Sequence, residues 1–96
     1  MKAYKHFVKH CLKAGHTVSV YDGEEWQVKR STGYQAIVDA VDSVDEAQLR
    51  VRDSQGNVIA WALVSAFGLA DDETMMDWSD NAFTEAWSDT YEATLV

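Results

Sequence analysis

Two groups of side chains in this sequence have the type and spacing to do chemistry. The first is a histidine pair. His6 and His10 stand four residues apart, where one face of a helix would offer two metal ligands. Phe7, Val8 and Lys9 lie between them, so the Glu of an HExxH frame is missing. The single Cys11 falls on an apolar stripe and rules out a multi-cysteine zinc site. Both histidines are read as surface residues, with no metal and no cofactor. Asp71, Asp72 and Glu73 suggest calcium by composition alone. The alternating ligands, the Gly at the sixth position and the Glu at the twelfth of an EF-hand are absent. There is no Gly-x-Ser-x-Gly elbow, no phosphate-binding glycine loop and no clustered His/Asp/Glu frame. No catalytic residue is expected, and a small enzyme or ligand-binding domain is the weakest of the function classes considered.

The second group is the segment 68–96. It carries eight acids (Asp71, Asp72, Glu73, Asp77, Asp80, Glu85, Asp89, Glu92) and no Lys or Arg. Residues 1–67 carry eight acids and eight bases, so the whole formal charge of −8 lies in the last third. Trp78 and Trp87 sit among the acids in matching frames, Trp-Ser-Asp-Asn and Trp-Ser-Asp-Thr. An acidic aromatic segment on a neutral body reads as a surface for a protein with a basic patch. The acids would raise the association rate, and a partly exposed Trp would anchor the contact. The expected contact residues are Asp77, Trp78, Asp80, Glu85, Trp87 and Asp89, with Trp87 the one most readily drawn into the core.

Two other readings of the charge compete with that one. The lysines of the first helix could lie beside the acids, giving exposed pairs of about 0–1 kcal/mol each. The segment could also imitate DNA. The four acids from Asp80 to Glu92 cover about 18 Å of helix, or one charge per ~4.5 Å. Duplex DNA carries one per ~1.7 Å. A DNA mimic blocking a nucleic-acid-binding protein is therefore placed below a protein inhibitor with mixed contacts.

The elements that must position these groups belong to one small domain, residues 1–96, with enough apolar residues for a modest core. No apolar run approaches the ~20 residues that span a bilayer. The basic N-terminal stretch lacks the apolar centre of a signal peptide. A cytoplasmic protein is expected, and the acidic excess argues against direct contact with nucleic acid or anionic membrane.

The spacing predicts an α+β fold in the order α-β-β-α-β-β-α, with a four-stranded, mostly antiparallel sheet. Residues 2–14 form an amphipathic helix with Tyr4, Phe7, Val8, Cys11 and Leu12 inward and Gly15 at its C-terminal end. Residues 17–21 and 26–30 form a hairpin around Asp22-Gly23, with Trp26 and Val28 on one face. Thr32 with Gln35 reads as a capping box for a second helix with Tyr34, Ile37, Val38 and Val41 inward. Residues 47–52 alternate, turn at Ser54-Gln55-Gly56-Asn57, and return as 58–67. That last run is apolar on both faces, so it reads as a covered central strand, with Trp61 in core or sheet-face packing rather than a ligand platform. Residues 69–76 read as a loop or short turn. Ser79 is the expected N-cap of a last helix, 80–93, with Trp78 and Phe83 as a hydrophobic staple. Its inward stripe is Phe83, Ala86, Trp87, Thr90 and Tyr91.

The hairpin run Leu49-Arg50-Val51-Arg52-Asp53-Ser54-Gln55-Gly56-Asn57-Val58-Ile59, the acidic loop, and Asp77-Trp78 opening a terminal helix resemble the small dGTP triphosphohydrolase inhibitors of T7-like phages. Val20-Tyr21-Asp22 and Trp26 follow the first helix as in that family. The likeness covers about half the chain and leaves the middle helix and the 58–67 strand unmatched. It implies a small acidic phage protein acting on a host enzyme in the host cytoplasm.

Overall fold

The computed structural model describes residues 1–67 and 70–95. Gly68 and Leu69, which open the acidic segment, and Val96 lie outside the described residues. The elements are α1 (Ala3–Lys13), β1 (Thr17–Tyr21), β2 (Trp26–Ser31), α2 (Tyr34–Asp42), β3 (Ala47–Arg52), β4 (Val58–Val64), β5 (Met75–Trp78) and α3 (Ala82–Ala93), with a 3-10 turn at Asp71–Glu73. The fold is α+β, as the pattern predicts. The sheet, however, has five strands in the order β2-β1-β3-β4-β5, and every pairing is antiparallel.

The three helices pack on one face of the sheet. That face carries Val18, Val20, Leu49, Val51, Ala60, Ala62 and Val64, all buried. Tyr4, Phe7, Val8 and Cys11 of α1 and Ile37, Val38 and Val41 of α2 complete the core. α3 packs over β4, whose inward Ala60 and Ala62 are small and leave room for its large side chains. α1 ends as expected at Gly15, whose φ of +86° only glycine adopts freely. The Gly15 and His16 amides close the end by donating to the Leu12 and Cys11 carbonyls. At the other end, buried Thr74 accepts the Tyr4 amide at 3.2 Å, which ties the start of α1 to the residue just before β5.

Several local expectations are corrected. Gly33, not Thr32, is the N-cap of α2, and no side chain caps it. Ser31 takes the Gly33 amide instead, at 3.0 Å, so the helix begins one residue later. Ser79 is not the cap of α3 either. Its hydroxyl accepts the Trp61 amide at 3.2 Å, and its own amide donates to the Trp61 carbonyl at 3.1 Å. Asn81 caps α3 through a capping box with Thr84. The Trp78–Phe83 staple therefore loses its frame, and Trp78 packs instead edge-on against Trp87. In α3 the buried positions are Thr84, Trp87 and Tyr91, with Phe83 half-buried and Ala86 and Thr90 exposed.

β4 is not covered on both sides. It ends at Val64, three residues short of the expected 67, and its burial alternates: Ala60, Ala62 and Val64 inward, Val58 and Trp61 exposed. Trp26 and Val28 also part company. β2 pairs Val20 with Val28 but Tyr21 with Trp26, so β2 holds one residue more than β1 there. This bulge turns Trp26 to the open face while Val28 stays against the core.

Candidate functional site

The helices leave the second face of the sheet bare. Strand alternation puts Tyr21, Gln48, Arg50, Trp61 and Leu63 there, and the β2 bulge adds Trp26. The register lines them up across strands: Tyr21 opposite Gln48, Gln48 opposite Leu63, Arg50 opposite Trp61. These residues line a concavity of about 500 Å³. Trp61 is 44% exposed and Val58 49%. Trp26 leans on Tyr21 at 4.9 Å between ring centres, and the Arg50 guanidinium lies over the Trp26 ring at 5.3 Å. Arg52, on the same face of β3, donates to the Gly56 carbonyl at 2.9 Å.

The expected contact residues scatter. Trp87 is 2% exposed and belongs to the core. Its ring meets Phe7, Trp78 and Tyr91, and its indole N–H donates to His6 Nδ1 at 3.1 Å. Trp78 pairs with Ala62 on the core side and is half-buried. Asp77 pairs with Leu63, which places it at the β5 border of the open face. Asp80, Glu85 and Asp89 are exposed, just before and along α3 in the helical layer. The acids thus divide between the two layers and do not surround an exposed Trp. Sequence reasoning missed Trp26, Arg50 and Trp61. The signal available was the alternation of Arg50 and Arg52 outward on β3, which already marks that face as uncovered.

The histidines are not free surface residues. His6 packs against Tyr91, and His10 and His16 both pack against Phe83. Burial, and then the positive charges of Lys9 and the amino terminus, push His6 below its ordinary pKa. Burial comes first for His10 as well, followed by His6, His16 and Lys13. Lys2 donates to the Ala66 carbonyl and Lys9 lies over the Tyr34 ring, so neither is spent on the acids of α3.

A second concavity, of about 430 Å³, is lined by Asp22, Glu24, Ser43, Val44, Asp45 and Glu46. Asp22 is committed to its own turn. It accepts from the Glu24 and Glu25 amides and from Gln27, and the two amides hold its carboxyl below the ordinary range. Cys11 is buried, and burial lifts its thiol to about 12, far from a reactive thiolate. Among the described residues, no group of three or more His, Cys, Asp or Glu could hold a metal ion, and no helix is long and apolar enough to cross a membrane. No protein-family model, curated protein or solved structure matches the chain.

Proposed function

We propose that this chain is a non-catalytic protein-binding domain that meets its partner on the uncovered sheet face around Trp26, Arg50 and Trp61. The observation that carries the reading is Trp61, 44% exposed on an inner strand and lining one concavity with a second Trp and an Arg. Trp, Tyr and Arg are the side chains that dominate binding energy at protein interfaces. Here they share one concave patch. Its polar groups are a phenol, an amide and a guanidinium, which orient a ligand, and no His, Cys, Ser, Lys, Asp or Glu lines it among the described residues. Inhibition of a host enzyme, the action implied by the phage resemblance, is one task such a surface serves.

A second reading keeps the acids Asp80, Glu85 and Asp89 as a surface for a basic partner. It is favoured by their exposure and by the commitment of Lys2 and Lys9 elsewhere. A DNA mimic is the weaker form of it, because Asp77 lies on the other layer of the fold.

Capture from a lysate distinguishes the two surfaces. Wild type is compared with Trp61→Thr/Arg50→Glu and with Asp80→Lys/Glu85→Lys/Asp89→Lys, each checked for folding by circular dichroism. Loss of the captured protein in the first variant alone is expected. Loss in the second alone moves the interface to α3, and retention in both sinks the two readings together.

A further inference from the structure

We infer that the slot between Trp26 and Trp61 receives a carboxylate side chain from an extended, otherwise apolar segment of a partner protein, and that Arg50 recognises it. This rests on the reading of the open sheet face as the docking surface. The charge of the face carries the inference. The protein as a whole bears −8, yet the centre of this face presents a cation. The guanidinium lies over the Trp26 ring at 5.3 Å. Among the described residues no hydrogen bond engages its N–H donors, and a planar fork of that kind matches a carboxylate in bidentate fashion. No carboxylate pairs with Arg50 among the described residues. The nearest candidate on the face, Asp77, sits on β5, two strands from β3, and accepts the amide of Trp78 at 2.9 Å. Arg52 already holds the Gly56 carbonyl. Arg50 is thus the cation placed for a ligand.

The walls define the rest of the occupant. Trp61 and Val58 are exposed and Leu63 is half-buried, so apolar side chains must flank the acid. A chain crossing the five strands covers about 19–24 Å, the length of roughly six extended residues. Single-stranded nucleic acid also stacks on Trp and pairs with Arg, but it carries a phosphate at every step. On this face it would run from Arg50 toward Asp77 on the β5 edge, or along the strands toward Asp22 in the turn that follows Tyr21. A peptide with one carboxylate avoids both.

The test is selection of a random displayed peptide library on the wild-type protein. Enriched peptides are expected to hold one Asp or Glu between apolar or aromatic residues. Their binding should weaken about tenfold or more in Arg50→Gln, the scale of a lost charged hydrogen bond, and similarly in Trp61→Thr, which keeps strand propensity. Selection on Arg50→Glu should replace the acid with Lys or Arg. Peptides without an acid, lost in Trp61→Thr but kept in Arg50→Gln, would overturn the carboxylate and leave the docking face standing. Failure to enrich any peptide, or equal binding to Trp61→Thr, would overturn both. Oligothymidine binding at low salt more tightly than the selected peptides, and sensitive to Trp61→Thr, would also overturn the inference and assign the face to nucleic acid.

Discussion

The hydrogen bond from Trp87 Nε1 to His6 Nδ1, 3.1 Å long, sets the protonation state on which α3 depends. Nδ1 can accept only while it carries no proton. Acidification therefore breaks the bond and leaves a buried indole N–H unpaired. The linkage has a definite sign. The folded pKa of His6 and of His10 lies below the ordinary 6.5, so the unfolded chain binds the proton more readily. Stability from this seam is complete above 6.5, falls as the pH drops below it, and levels off beneath the folded values. Asp22 and Asp53, both depressed, act only at lower pH. The urea midpoint should drop between pH 8 and pH 5, and His6→Gln, whose amide oxygen still accepts the indole, should flatten that drop. An equal drop in the variant would remove His6 from the account. None of this was legible in the sequence. The spacing of His6 and His10 was visible, but their contacts come from α3, about eighty residues further along the chain. The tryptophans divide for a related reason. Acids surround Trp87, yet its place on the inward stripe marks it for the core, where it lies, while the apolar run around Trp61 suggests burial of a side chain that is 44% exposed. Only the sheet's coverage, a tertiary property, decides which is which.

At the scale of elements, the helices and four of the strands follow from periodicity, because apolar residues at helical or alternating spacing admit one buried face. β5 does not. Its Met75–Trp78 is short, holds an acid, and carries a bulge opposite Leu63 and Val64 that blurs its alternation. Missing β5 displaced the start of α3, since Ser79, a good cap by type, is claimed by β4. Asn81 does more than cap. Its carbonyl oxygen takes the Thr84 amide, and its side-chain amide donates to the Ile59 carbonyl at 2.9 Å, which pins α3 to β4. Asn81→Ala should cost about 1 kcal/mol or somewhat more, read as a lower urea midpoint with unchanged slope. Asn81→Asp, which keeps the cap but not the donor to Ile59, should fall between. If Asn81→Asp matches wild type, the link to β4 contributes nothing and the cap alone matters.

For the whole molecule, the two layers separate two kinds of surface, an aromatic sheet face centred on Arg50 and an acidic helical face. The acidic face carries a cost within α3 itself. Glu85 and Asp89 are like charges one turn apart, and Asp89 and Glu92 stand near the helix C-terminus, where the macrodipole favours bases. The last turn of α3 holds no base. Asp89→Lys/Glu92→Lys reverses each of these terms. It converts the Glu85 pair into an attractive one with the acid on the N-terminal side, places cations at the negative end of the helix, and lowers the formal charge from −8 to −4. The variant should be more stable than wild type by roughly 0.5–1.5 kcal/mol at low ionic strength. Salt screens exposed charges over about 10 Å at 0.1 M, so the gain should shrink as salt is added, while wild type itself gains stability. The pair of urea titrations at low and high salt reads both effects. A variant no more stable than wild type at low salt would mean that the acids of α3 are already compensated within the fold. Loss of partner binding in a variant that is stabilised would instead show that those acids are kept, at the expense of stability, for contact.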